Sequence, residues 1–271
     1  MRRANLLVGA ALVGLVLVIA AVSLVWTPHD PIRVDPAHVL VPPLQGGFLL
    51  GTDGFGIDVL SRLMVSARFC VLVGIIAVGI AALVGVPLGM VAGQRGGWVS
   101  ELIMRATDVW YAFPALLLAI LLAAAVGAST VTAMVAIGVA TVPAFARVAR
   151  AGTVQVMAQD YVLAARAAGT PPIRVAARHV LPNIAPTIGV QASVSFGIAI
   201  LAEAALSYLG LSTRPPTPTW GRMLRDAQTY LFSNPELAVW PGLAIAVAVL
   251  GCNLLGDGLR DLLDPRLKEV R

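Results

Sequence analysis

Three histidines, two cysteines and a single lysine stand beside 14 acidic residues and 18 arginines as the groups that this 271-residue chain offers to acid–base, redox, metal or phosphate chemistry. The lysine, Lys268, is followed by Glu269, so a Gly-x4-Gly-Lys-Ser/Thr phosphate loop is absent. If the chain works with ATP, a partner must bind it. His29, His38 and His179 fall outside long apolar runs or at their edges. Cys70 and Cys252 lie in or beside such runs and read as small buried hydrophobes, with no metal site expected. No run clusters His, Asp, Ser or Cys as an intramembrane enzyme requires, so no catalytic residue is assigned.

What remains is charge and backbone punctuation. Glu203 stands alone in an apolar stretch. Such a group faces a bundle interior or a water-filled cavity and is a candidate for the translocation path; the structural alternative is a pair with Arg214 or Arg222. Residues 160–183 are punctuated differently. Asp160 suits an N-cap, Tyr161–Ala168 is Ala-rich and helical, Gly169 suits the position after a helix, and Pro171-Pro172 stop it. A second short helix starts at Pro172 and ends before Pro182. Arg174 and Arg178 share one of its faces. Ala164, Ala165 and Ala168, beside Arg166, allow another surface to approach closely. Docking of a partner and lying on the lipid surface are equally good readings of this hairpin on physics alone.

These residues sit in a chain that is 58% hydrophobic and only 12% charged, against about 25% charged in soluble domains. The fold expected is all-α and polytopic, with about six transmembrane helices near Leu6–Trp26, Cys70–Ala92, Ala106–Val126, Val131–Val148, Ala185–Leu206 and 237–256. Each provides the roughly 20 residues that cross a bilayer core. A turn at Gly127–Thr130 separates the third and fourth. The first run is too long for a signal peptide and ends at an interfacial Trp26, which favours an uncleaved helix. With both termini inside, the inner segments carry thirteen Arg and Lys, including Arg2, Arg3, Arg266, Lys268 and Arg271, and the outer ones six. The positive-inside rule therefore predicts cytoplasmic termini. The same distribution explains the net charge of +5 without nucleic acid. Long outer loops are expected at 27–69 and 207–236 and a long inner one at 149–184. Gly51-Thr-Asp53 introduces a capped amphipathic segment, 53–66, on the outer surface, and Trp220 reads as an interfacial anchor. The chain divides at residues 1–69 (first helix, outer loop, amphipathic segment) and 70–271 (a five-helix core).

Ala164-Ala-Arg-Ala-Ala-Gly169, with Leu181-Pro182 twelve residues beyond Gly169, resembles the "EAA" loop of binding-protein-dependent ABC importer permeases. The family's glutamate falls on Leu163. Leu50–Arg62, Asp108 with Phe113-Pro114, Ile200–Leu211, Pro215–Gly221, Asn253–Asp261 and Leu263–Arg266 resemble the second-subunit branch of dipeptide, oligopeptide and nickel permeases. The resemblance implies a type I importer permease fold in a bacterial or archaeal inner membrane. It implies a non-catalytic subunit that carries peptides, with nickel or haem as alternatives. It further implies a second permease subunit, one or two ATPase subunits that supply ATP and Mg, and an extracytoplasmic solute-binding protein. The loop would be the coupling element. Asp53, Asp58, Arg62, Pro216, Trp220 and Arg222 would face the binding protein. A secondary transporter or channel is the competing class, and would show repeated halves, broken spans or several buried charges.

Overall fold

The computed structural model describes residues 2–263, with side chains for 4–262. The expected feature at Asp264–Arg266, Lys268 and Arg271, and the side chains of Arg2 and Arg3, lie outside the described residues. Ten α-helices follow in order. They are α1 (Arg2–Ser23), α2 (Val59–Arg95), α3 (Gly97–Ala112), α4 (Ala115–Val126), α5 (Thr130–Met157), α6 (Asp160–Ala167), α7 (Pro172–Val175), α8 (Leu181–Tyr208), α9 (Trp220–Ala227) and α10 (Glu236–Leu263). No strand is present among the described residues. Five helices are long and apolar enough to cross a membrane, and α3 with α4 makes a sixth when taken as one bent span. The all-α polytopic fold is thus present.

The spans differ from expectation where proline or helix continuity decides. The third is broken rather than continuous: α3 and α4 meet at 79°. Pro114 has no N–H to donate and disfavours the helical region for the residue before it, and both Phe113 and Pro114 are extended. The amphipathic segment 53–66 is not a separate helix. Asp58 caps α2 through the Ser61 N–H, and α2 runs unbroken for 37 residues, through the anticipated division at 69–70. At 1.5 Å per residue it is about 55 Å long and projects well beyond a bilayer core. The loop expected at 149–184 is largely helical for the same reason, since α5 continues to Met157.

Nor does the chain stop before Pro182. Helix α7 passes through a π-helical turn at Ala176–Val180 directly into α8. A widened turn relieves the clash between a proline ring and the carbonyl four residues earlier. The Asn183 side-chain amide also donates to the His179 carbonyl at 2.7 Å.

Helices α2 and α5 form the heart of the bundle. Gly85, Gly89 and Gly93, four residues apart, present bare backbone to α5. A Cβ on Gly85 would stand 2.6 Å from the Val142 carbonyl oxygen, and one on Gly93 2.6 Å from Thr153 Cβ. Without a hydrophobic drive between helices in lipid, close approach of this kind supplies the packing. Helices α1 and α10 are antiparallel neighbours, with Gly258 against Leu6 and Gly251 against Leu12 and Val13. Arg68 Nε donates to Ser23 Oγ at 2.6 Å, tying the end of α1 to the start of α2. The start of α1, the end of α2 and the end of α10 therefore share the α6 end of the bundle. Residues 24–58 and α9 occupy the other end.

Candidate functional site

At the α6 end, Gln159 takes the N-cap position in extended backbone and Asp160 becomes the first helical residue, one place later than its expected role as cap. Its charge still complements the positive end of the helix. The far end closes as a Schellman motif: Gly169 N donates to Arg166 O at 3.0 Å and Thr170 N to Ala165 O at 3.1 Å. Gly169 has φ +79° and nothing within 4 Å of where a Cβ would sit, so its role is conformational and superficial.

The hairpin has two faces. Val162, Val175 and Val180 are fully buried and pack with Phe145, Ala149 and Ile184. Ala164, Arg166, Ala168, Arg174 and Pro182 are exposed, beside Tyr161 and Leu163. Ala165 is half-buried, and Leu181 is exposed. Ile173, 80% exposed, stands at the tip. The Tyr161 hydroxyl accepts from Asn183 Nδ2 at 3.2 Å, and Gln94 Nε2 donates to Pro172 O at 3.4 Å. A rigid, valine-anchored platform thus presents small, apolar and basic side chains to a groove of about 480 Å³ against the end of α2.

The opposite end corrects several expectations. Asp53, Asp58 and Arg62 are buried and serve the chain's own fold. Asp53 Oδ1 accepts the backbone N–H groups of Phe55 and Ile57. Its other oxygen pairs with Arg62, which also reaches Asp226 at 3.1 Å. Trp220 is not an interfacial anchor: it is 5% exposed, and its Nε1 donates to the Leu63 carbonyl. Arg222 lies 3.9 Å from Asp226. Pro216 alone of these candidates is exposed. Nearby, His38 Nδ1 contacts Asp35 at 2.8 Å, and that bond, with the Ala37 N–H, holds the Asp35 carboxyl below the usual carboxylate range.

Glu203 is 5% exposed, in the α9-end half of α8. Ser212 Oγ donates to it at 3.4 Å, and neither Arg214 nor Arg222 forms an ion pair with it. The candidate path residue is therefore enclosed by protein, and the alternative ion pairs are not formed.

The profile of the family described as binding-protein-dependent transport system inner membrane component matches residues 85–269. This chain belongs to that family. It is 43% identical to the di/tripeptide transport system permease protein DppC of Pseudomonas aeruginosa, over 97% of this chain and 88% of the relative. It is 39% identical to the dipeptide transport system permease protein DppC of Alkalihalophilus pseudofirmus, over 95% and 86%. The glutathione transport system permease protein GsiD of Escherichia coli shares 40% identity, over 98% and 88%. Among solved structures, a chain of the MetNI methionine ABC transporter superposes with a TM-score of 0.62 at 15% identity, covering 75% of this chain and 96% of that one, a likeness of fold.

The chain is thus an ABC importer permease of the dipeptide/glutathione type and a multi-pass inner membrane protein. Family membership decides against a secondary transporter or channel, even though the third span is broken as that class would allow. One charged group of this permease escaped sequence reading. Arg147 on α5 donates through Nη2 to Asp108 Oδ1 on α3 at 2.8 Å. Neither residue signals the other, because 39 residues separate them and the pairing depends on how α3 packs on α5.

Proposed function

We propose that this chain forms half of a peptide translocation path, paired with a second permease subunit, and that partner ATPases drive it through the α6–Gly169–α7 hairpin. The observation that carries the reading is the hairpin itself. Three buried valines fix it to α5 and α8 while Tyr161, Leu163 and Ile173 stay exposed. Large apolar side chains held outward on a rigid frame suit a protein partner better than bulk water. Any load on the hairpin passes directly into α8, because α7 continues into it through the π-helical turn at Ala176–Val180. Both termini and the hairpin are then cytoplasmic, and residues 24–58 with Pro216 face an extracytoplasmic solute-binding protein. ATP and Mg bind the ATPase subunits and not this chain.

Peptides are the favoured cargo, since two of the relatives are named for di- and tripeptide transport. Glutathione, itself a tripeptide, is the second reading, on the strength of relatives at similar identity. The test is reconstitution of the complex in liposomes with its binding protein and ATPases. ATP-dependent uptake of a labelled dipeptide is expected, with no hydrolysis by this chain alone. Hydrolysis by the isolated chain, or uptake without ATP, refutes the reading.

A further inference from the structure

The third span is sparsely covered by its own chain. Of α3 only Ser100 and Thr107 are buried, and of α4 only Ala119 and Ala123. At the break, Ala112, Phe113 and Pro114 are all exposed. Non-helical backbone at membrane depth is tolerated within protein or along a water-filled cavity, and not against lipid.

A charged cluster stands just before this break. The Asp108–Arg147 pair has side chains 61% and 42% exposed, and the Arg147 guanidinium lies 4.4 Å from the centre of the Tyr111 ring. The neighbouring charges are engaged elsewhere: Arg150 donates to Ser100, and Arg105 pairs with Glu101. Arg147 lies about 26 Å along α5 from its α9 end, close to the inner edge of a bilayer core about 30 Å thick. An ion pair this open adds little stability of its own. One acid, one base and one aromatic ring therefore stand together and exposed, beside a backbone break that requires water or protein.

We propose that Asp108, Arg147 and Tyr111 form a station on the path that takes a zwitterionic peptide by ion-pair exchange. The peptide's ammonium replaces Arg147 on Asp108. Its carboxylate replaces Asp108 on Arg147, whose planar fork suits two-point binding. The Tyr111 face retains the guanidinium while the internal pair is open. Every charge stays partnered throughout, so the peptide passes without leaving a bare charge behind. The station rests on the peptide-importer reading and adds where this chain holds the cargo.

Two measurements on the assembled complex test it. In the first, Tyr111→Cys is treated with a membrane-impermeant methanethiosulfonate reagent. The native Cys70 and Cys252 are buried, so the wild type supplies the background. Labelling is expected; its absence means that lipid or the partner subunit seals this face, and overturns the station. The second compares uptake of radiolabelled alanyl-alanine at saturating binding protein by wild type, Asp108→Asn, Arg147→Gln and the exchange Asp108→Arg with Arg147→Asp. Each single variant is expected to lower uptake about tenfold or more while retaining its ATPase subunits, as loss of a charged hydrogen bond implies. The exchange should not restore uptake. Recovery to the wild-type rate would make the pair an internal brace and overturn the proposal, as would unaffected single variants. A wild-type complex that imports no alanyl-alanine instead sinks the peptide reading, and the zwitterion assignment with it.

Discussion

Arg62 and Asp226 meet at 3.1 Å although 164 residues separate them, and the same guanidinium holds Asp53 on its other side. One side chain, 7% exposed, thereby joins the segment before α2, α2 itself and α9. The clamp sets the shape of the α9 end from within. The charges found there explain how segment 24–58 and α9 are held together, and on the proposed function what a binding protein would touch is left to exposed neighbours such as Pro216.

Removing Arg62 strands the buried Asp53 carboxylate. Arg62→Met is expected to cost about 3 kcal/mol or more, and to lower the thermal midpoint of the purified complex. Asp226→Asn should cost less, because Asp226 is 28% exposed and Arg62 keeps Asp53. Equal midpoints for Arg62→Met and wild type would show that the clamp contributes nothing.

The α2–α5 contact is as exacting. Gly89→Val places side-chain carbons against the Ala146 backbone and Ala149 Cβ, and is expected to destabilise by about 1–3 kcal/mol or prevent assembly. Gly79, on the same helix, has nothing within 4 Å, so Gly79→Ala should be tolerated. Protease resistance of the two variants in membranes distinguishes them, and similar resistance would refute the packing argument.

Helix number and the hairpin were legible because hydrophobic run length and glycine–proline punctuation are local signals. Gly169 takes the positive φ that its position after α6 suggests. What escaped was non-local or hidden by composition. Pro182 reads as a stop, but a π-helical turn absorbs it. Pro114, lost within a 38-residue uncharged run, does break its span. The Gly85, Gly89, Gly93 spacing was present as a small-residue stripe and could have identified the α2 face that meets α5. Asp53, Asp58 and Arg62 looked like surface charges because their partners come from backbone turns and from α9, which no local pattern reveals.

On the proposed orientation, the end shared by α1, α6 and α10 is cytoplasmic. Val34 and Ile173 are both exposed, at opposite ends. In intact cells, Val34→Cys should react with an impermeant maleimide and Ile173→Cys should not. Inside-out vesicles should reverse the result. The opposite labelling pattern would place the hairpin outside and remove any role in ATPase contact.

Gly169→Asp separates docking from folding. The open space around Gly169 means that an added side chain strikes nothing within the chain, so insertion and packing should persist. The cost is local: a non-glycine residue at φ +79° carries about 1–2 kcal/mol of strain. That strain favours unwinding the Schellman turn that sets α6 against α7. The new carboxylate also projects from the exposed face, among small and apolar side chains that would meet an ATPase groove. The expected result is a complex that still contains both permease subunits but loses ATPase subunits, or hydrolyses ATP without import. Val162→Ala supplies the contrast. It weakens the buried anchor and should lower thermal stability by a few degrees, leaving the docking face chemically unchanged. ATPase retention, ATP hydrolysis and dipeptide uptake are measured on both variants. If Gly169→Asp keeps all three at wild-type values, the hairpin is a membrane-surface element, and the drive must enter this permease elsewhere.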